Sequence, residues 1–219
     1  MQKVVILGGS GIGMTVAAIA EQYADTEVLG FLNDIEPVGS YIGNFKKIPV
    51  IGKTDDLPGF LNDKDVMFFI AYVGMQNEKE VYQKIVQLNI PSERFFTCID
   101  KTAVFYKDYC KIGSGVLLTP LSQVGVDVTL SDNCMLLANS YVGHNSFLDR
   151  FAHIATNAVV GANVHVGKAV HVGSNATIRE KIIIGDFSLI GAGAVVIKDV
   201  PPNSIVVGNP ARILRTKEE

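Results

Sequence analysis

The chain has 219 residues, 48% of them hydrophobic, and a formal net charge of −3. That length holds one large domain or two modest ones, and we read two; the near-neutral charge gives no electrostatic footprint for nucleic acid or an anionic surface. No apolar run reaches membrane-spanning length and no basic segment leads into one at the N-terminus, so a cytoplasmic protein without membrane insertion is expected.

Residues 2–7 (QKVVIL) read as a short buried strand, followed by the loop GGSGIG and an apolar helix over roughly 14–23. A strand, a glycine loop and a helix in that order open a nucleotide-binding α/β unit, where helix N-terminal amides can meet a phosphate. The glycines fall at Gly8, Gly9, Gly11 and Gly13, off the usual dinucleotide spacing. A second strand (EVLGFLND) ends in Asn33 and Asp34, where an acidic side chain could reach a ribose or base. Residues 39–53 read as a loop with a short extended segment, 65–73 as a third strand, 77–88 as an amphipathic helix ended by Asn89 and Pro91, and 93–99 as a fourth strand. This alternation predicts a small Rossmann-like parallel sheet over residues 1–105.

From Ile112 the chain changes character. Every sixth residue through Val196 is aliphatic, fifteen in succession, and the residue two before each is usually small. Gly follows the aliphatic residue at Gly113, Gly125, Gly143, Gly161, Gly167, Gly173, Gly185 and Gly191. Neither a helix nor a simple strand has that period. It fits a triangular parallel β-helix turning a corner every six residues, with glycine giving the corner its backbone freedom and residues eighteen apart stacked. We place this domain, with its tail, at residues 106–219. Cys98, Cys110 and Cys134 have no metal-ligand spacing and read as reduced thiols.

All four histidines lie in the coils. His153, His165 and His171 each precede an interior aliphatic residue and therefore point outward, with His153 and His171 stacked; His144 stands alone in the run Val142-Gly143-His144-Asn145. The spacings, with no interleaved carboxylate, do not build a tetrahedral metal site, so no metal is expected. Taken alone, His165 and His171 read as wall residues bonded to neighbouring backbone.

The hexads, the VGH run at His144, the FxHIA run at 151–155, the ending DVPPNSIVVGNPAR and the opening GGSGIG together resemble the two-domain left-handed β-helix acyltransferases. These are the nucleotide-amino-sugar N-acetyltransferases of the bacillosamine and perosamine type, related to sialic acid O-acetyltransferases. The resemblance implies left-handed coils, a homotrimer with acetyl-CoA between adjacent coils, and a nucleotide-linked amino sugar on the N-terminal domain. It places His144 as general base with Asn145 beside it, and His153 near the thioester, meeting His144 across a subunit contact. Histidine suits that task because it gains and loses a proton near neutral pH. For coenzyme A the resemblance points to Ala162, Ser174, Gly191, Ala192, Gly193, Asn209, Pro210 and Arg212; for the nucleotide, to Gly8, Ser10, Gly11, Gly13, Asn33 and Asp34.

Three residues depart from the family pattern. Asn145 stands where a carboxylate is common, Ile12 where histidine is common, and Leu136-Leu137-Ala138 replaces a Leu-Asn-Thr run. The expected activity is N-acetylation of a nucleotide-linked 4-amino-4,6-dideoxy sugar, UDP-linked in our reading. The alternatives are sugar O-acetylation, separated by a panel of amino and hydroxy sugars; a non-catalytic nucleotide-sugar-binding trimer, which would not bind CoA; and a zinc enzyme, which would purify with metal.

Overall fold

A computed structural model describes residues 1–72 and 77–217. β1 (Gln2–Leu7) is central to a five-stranded sheet, flanked by β2 (Thr26–Leu32) and β5 (Val66–Ile70); beyond β2 lies the hairpin of β3 (Tyr41–Ile42) and β4 (Ile48–Gly52). All pairings are parallel except β3 with β4. Val4 and Ile6 pack toward α1 (Ile12–Ala20); Val5 and Leu7 pack toward α2 (Leu57–Leu61) and α3 (Glu78–Gln87). Burial on both faces is why this strand is hydrophobic without alternation.

Three local expectations change. The loop expected over 39–53 contains the β3–β4 hairpin, and the third strand ends at Ile70, with Val73 outside the described residues. The strand expected over 93–99 is divided between two sheets. Residues Ser92–Arg94 form a 3-10 turn, Phe96 N–H still donates to Phe68 O, and Cys98 N–H donates to Val116 O instead. β6 (Cys98–Ile99) therefore begins the coil wall. A short apolar run carries no record of which sheet edge it will pair with.

The C-terminal domain is a left-handed parallel β-helix of two-residue strands in three walls. The first wall stacks 117–118, 135–136, 153–154, 171–172 and 189–190; the second begins at Gln123–Val124 and the third at Lys111–Ile112. Paired residues are eighteen apart, as in Met135↔His153↔His171↔Leu189. Of the fifteen stepped aliphatic residues, all but Ile112 are buried.

Glycine does not have the corner role expected of it. The left-handed conformation falls at every sixth residue from Gly115 to Gly193, most often on Asn, as at Asn133, Asn139, Asn145, Asn157, Asn163 and Asn175. Asn tolerates this region because its short polar side chain bonds locally. The glycine two positions earlier answers to close approach: a Cβ on Gly143 would lie 2.6 Å from Ala162 N and 2.7 Å from Gly161 C of the next coil.

The N-terminal domain sits on the first wall. Leu117 and Met135 join the α1 cluster, and the Tyr23 hydroxyl donates to Ile99 O at 2.6 Å while accepting from Ile99 N–H at 2.9 Å. On the other side Tyr82 of α3 meets the rings of Phe151 and Phe187 edge-on. After Ser204–Val207 extends the first wall, Arg212–Thr216 returns antiparallel to it, and Lys217 pairs with Glu78 at the start of α3.

Candidate active site

His144 lies at the corner between the second and third walls, just after Tyr141–Val142, and is exposed. Its Nδ1 is 2.7 Å from Asn145 Oδ1. An amide oxygen only accepts, so Nδ1 carries the hydrogen and Nε2 keeps its lone pair facing outward. The local chain enforces this: Asn145 occupies the left-handed position (φ 60°) of the corner, turning its side chain back along the ring. Ala162 stands eighteen residues on, one coil below, and is half-buried.

Within one chain His153 does not join His144. It lies on the first wall, half a coil away, and although it points out of the coil it is covered by the chain's own N-terminal domain. Nor does His171 bond to neighbouring backbone as expected. The two rings meet edge-on with centroids 4.5 Å apart and Nδ1 atoms 3.0 Å apart, so one ring donates and the other accepts. They border a cavity of about 30 Å³ lined also by Tyr72, Glu78, Tyr82 and Asn133. Burial, with His171 adding to it, pushes His153 down to about 3, and burial lowers His171 despite Glu78 nearby. His165 is exposed and stacks on Phe147 at 4.9 Å.

The pair has a measurable consequence. Both histidines are held neutral in the fold, whereas unfolded histidine protonates near pH 6.5. Their contribution is therefore complete above about pH 6.5 and is lost as pH falls toward the depressed folded values. His153 alone accounts for about 2 kcal/mol between pH 7.5 and 5, a fall of about 4–8 °C in Tm. Calorimetric melts should show that fall, and a His153→Gln, His171→Gln double variant should flatten it.

Ser174, Gly191, Ala192 and Gly193 line the corner between the first and second walls; Ser174 and Gly191 are half-buried, Ala192 and Gly193 exposed. The tail folds beside them: Val195 N–H donates to Gly208 O and Ala211 N–H to Val195 O. Asn209, Pro210 and Arg212 are exposed there, and Arg212 Nη1 donates to Pro210 O and Ala211 O. Small residues and a cation along one edge suit a pantetheine arm, which approaches backbone closely, and its phosphates.

The glycine loop follows β1 at the carboxyl edge of the N-terminal sheet. Gly8 N–H donates to Leu32 O, exposed Gly11 (φ 61°) precedes α1, and Gly13 lets α1 approach Phe31, whose ring would be 3.2 Å from an added Cβ. Ser10 is exposed between them. Asn33 Oδ1 accepts from Ile35 N–H and Glu36 N–H at 2.9 Å each, which leaves its amide nitrogen over Gly9. Asp34 is exposed, its oxygens accepting from Thr54 N–H and the Thr54 hydroxyl at 2.8 Å. Thr54 and Tyr72 went unnoticed in the sequence, since neither carries a motif. Ile12 and Leu137, two of the departing residues, are both partly buried and, like Met14, pack against the apolar cluster that α1 shares with the first wall.

The structure thus puts Ser174 and residues 191–193 beside the tail at one corner of the coil and His144 with Ala162 at the next. Among the described residues no three of His, Cys, Asp and Glu converge as metal ligands, and no helix is long and apolar enough to cross a membrane.

Residues 3–85 match the family described as the PglD N-terminal domain. No curated protein matches the chain. Among solved structures, the acetyltransferase domain of PglB from Neisseria gonorrhoeae FA1090 is 26% identical with a TM-score of 0.80, covering 98% of this chain and 100% of its own. Its complex with acetyl coenzyme A is 27% identical with a TM-score of 0.79, covering 97% and 99%. PerB from Caulobacter crescentus, in complex with CoA and GDP-perosamine, shares the fold at 22% identity and a TM-score of 0.80, each chain covered to 97%.

Proposed function

We propose that this chain, one of the two-domain hexapeptide-repeat sugar acetyltransferases, transfers acetyl from acetyl-CoA to the amine of a nucleotide-linked 4-amino-4,6-dideoxy sugar, UDP-linked in our reading. The observation that carries the mechanism is the His144 Nδ1 contact to Asn145 Oδ1 at 2.7 Å, which fixes the tautomer with Nε2 free to act as base.

In this reading the sugar amine attacks the thioester carbonyl while His144 Nε2 takes the proton that nitrogen loses. The carbon–sulfur bond then breaks, and the thiolate leaves with a proton returned from the imidazolium. A backbone N–H from a coil wall stabilises the oxyanion between these steps. An amine is the better nucleophile and asks less of a base whose neighbour is neutral, which favours nitrogen over hydroxyl acceptors. Ile12, Met14 and Leu137, partly buried against one apolar cluster, suit a sugar whose sixth carbon is a methyl group.

One chain does not bring His144 to the small-residue edge, because a whole wall separates the two corners. A homotrimer would set the His144 corner of one copy against the small-residue edge of the next. Exposed Tyr141 and Val159 on the second wall and Ile183 on the third fit contact between copies. Light scattering should give three times the chain mass of 23.6 kDa.

The test is free-thiol release from acetyl-CoA with UDP- and GDP-linked amino sugars beside their hydroxy counterparts. Turnover confined to hydroxy sugars would replace N- with O-acetylation, and no CoA binding would leave only a binding protein. Residue 145 gives a finer check. Asn145→Asp keeps the left-handed corner and supplies a charge that stabilises imidazolium, so kcat should rise several-fold. Asn145→Gly keeps the corner but frees the ring, and kcat should fall roughly tenfold.

A further inference from the structure

The geometry points to Thr54 and Tyr72 as positioning residues that hold the Asp34 carboxylate to receive ribose hydroxyls, making the N-terminal site selective for ribonucleotides over deoxyribonucleotides. The inference rests on the nucleotide-binding part of the function proposed above.

Three strand ends meet at this point. Asp34 follows β2, Thr54 follows β4 and Tyr72 follows β5, all at the carboxyl edge where ligands bind in open α/β sheets. The glycine loop after β1 lies against the same edge: a Cβ on Gly8 would be 3.2 Å from Ala71 Cβ, and one on Gly9 2.5 Å from Asn33 Nδ2.

The direction of each hydrogen bond is fixed by chemistry. The Asp34 carboxylate only accepts, so the Thr54 hydroxyl donates to Oδ2 at 2.8 Å while Thr54 N–H donates to Oδ1 at 2.8 Å. Having given its only hydrogen away, Thr54 Oγ1 must accept from the Tyr72 hydroxyl at 2.9 Å. Burial raises Tyr72, which keeps it a donor at neutral pH. The chain Tyr72 to Thr54 to Asp34 is therefore one-way, and the carboxylate is held by both oxygens.

What remains determines the ligand. A carboxylate has about four acceptor sites, and Thr54 uses two. Asp34 is exposed, so its two remaining sites are open to hydroxyl donors. Asn33 has its oxygen committed to Ile35 and Glu36, so it presents only N–H groups, beside the loop amides that suit phosphate. A carboxylate for hydroxyls next to amides for phosphates matches a ribose and its diphosphate. A site built to bond a hydroxyl discriminates against the analogue lacking it.

The test measures calorimetric affinity of the full chain for UDP, GDP and the 2′-deoxy and 3′-deoxy forms of each. The unsubstituted chain should bind the ribonucleotide about tenfold more tightly than at least one deoxy analogue. Thr54→Val should weaken ribonucleotide binding and bring that ratio close to one; Thr54→Ser should keep it, and Tyr72→Phe should fall between. CoA affinity should be unchanged in all three. A general folding defect would instead lower CoA affinity along with nucleotide affinity. A ratio retained in Thr54→Val, or absent from the unsubstituted chain, overturns the proposal, as does failure to bind either nucleotide. Thiol release from acetyl-CoA is measured separately, so the acetyl-transfer reading can stand when this one falls.

Discussion

Replacing His144 with alanine should lower acetyl transfer by about 10²–10⁴-fold, the usual contribution of a positioned general base. His144 is exposed at a corner and, among the described residues, its ring bonds to Asn145 alone, so its loss removes no core packing. Melting temperature and oligomeric mass should therefore match the unsubstituted chain, and nucleotide and CoA affinities should hold. Rapid-quench measurement of acetylated sugar at saturating substrates reads the chemical step directly. Retained activity would remove His144 as base and shift attention to an acid or base brought by a neighbouring copy.

The second large effect is on stability. Leu148 is fully buried in the coil interior, and Leu148→Ala should cost about 2–5 kcal/mol, because stacked coils on either side cannot collapse into the space. For a chain of this size that is a Tm loss of about 4–20 °C. Gly143→Ala tests the corner differently: the added methyl would press on Ala162 N, and the overpacking should cost about 1–3 kcal/mol. Were glycine needed there for backbone freedom, as the sequence first suggested, the strain would come from φ; yet the left-handed residue is Asn145. A much milder loss in Gly143→Ala than in Leu148→Ala would show the coil spacing yielding.

The His153–His171 contact shows where inference from spacing stops. A separation of eighteen residues identified the stack, and the pairing follows it. That both rings would be sealed beneath α3, one sharing a hydrogen with the other, depends on how the N-terminal domain docks. The same docking explains Ile12 and Leu137. Read singly, each is a lost polar group; in the fold both pack against the apolar cluster that α1 shares with the first wall.

The sequence by itself determined the coil. A six-residue period of aliphatic side chains has one economical solution, in which three walls bury all but the first such residue, and local repetition fixes the register without any distant contact. It also determined the opening strand, loop and helix, whose hydrophobic continuity and glycines are local properties. Only the tertiary structure decided which sheet receives Cys98–Ile99, what covers the first wall, and how Thr54 and Tyr72 gather around Asp34. Those contacts join residues tens of positions apart with no period linking them, so their partners are set by the packing of one domain on another and of one strand end on the next.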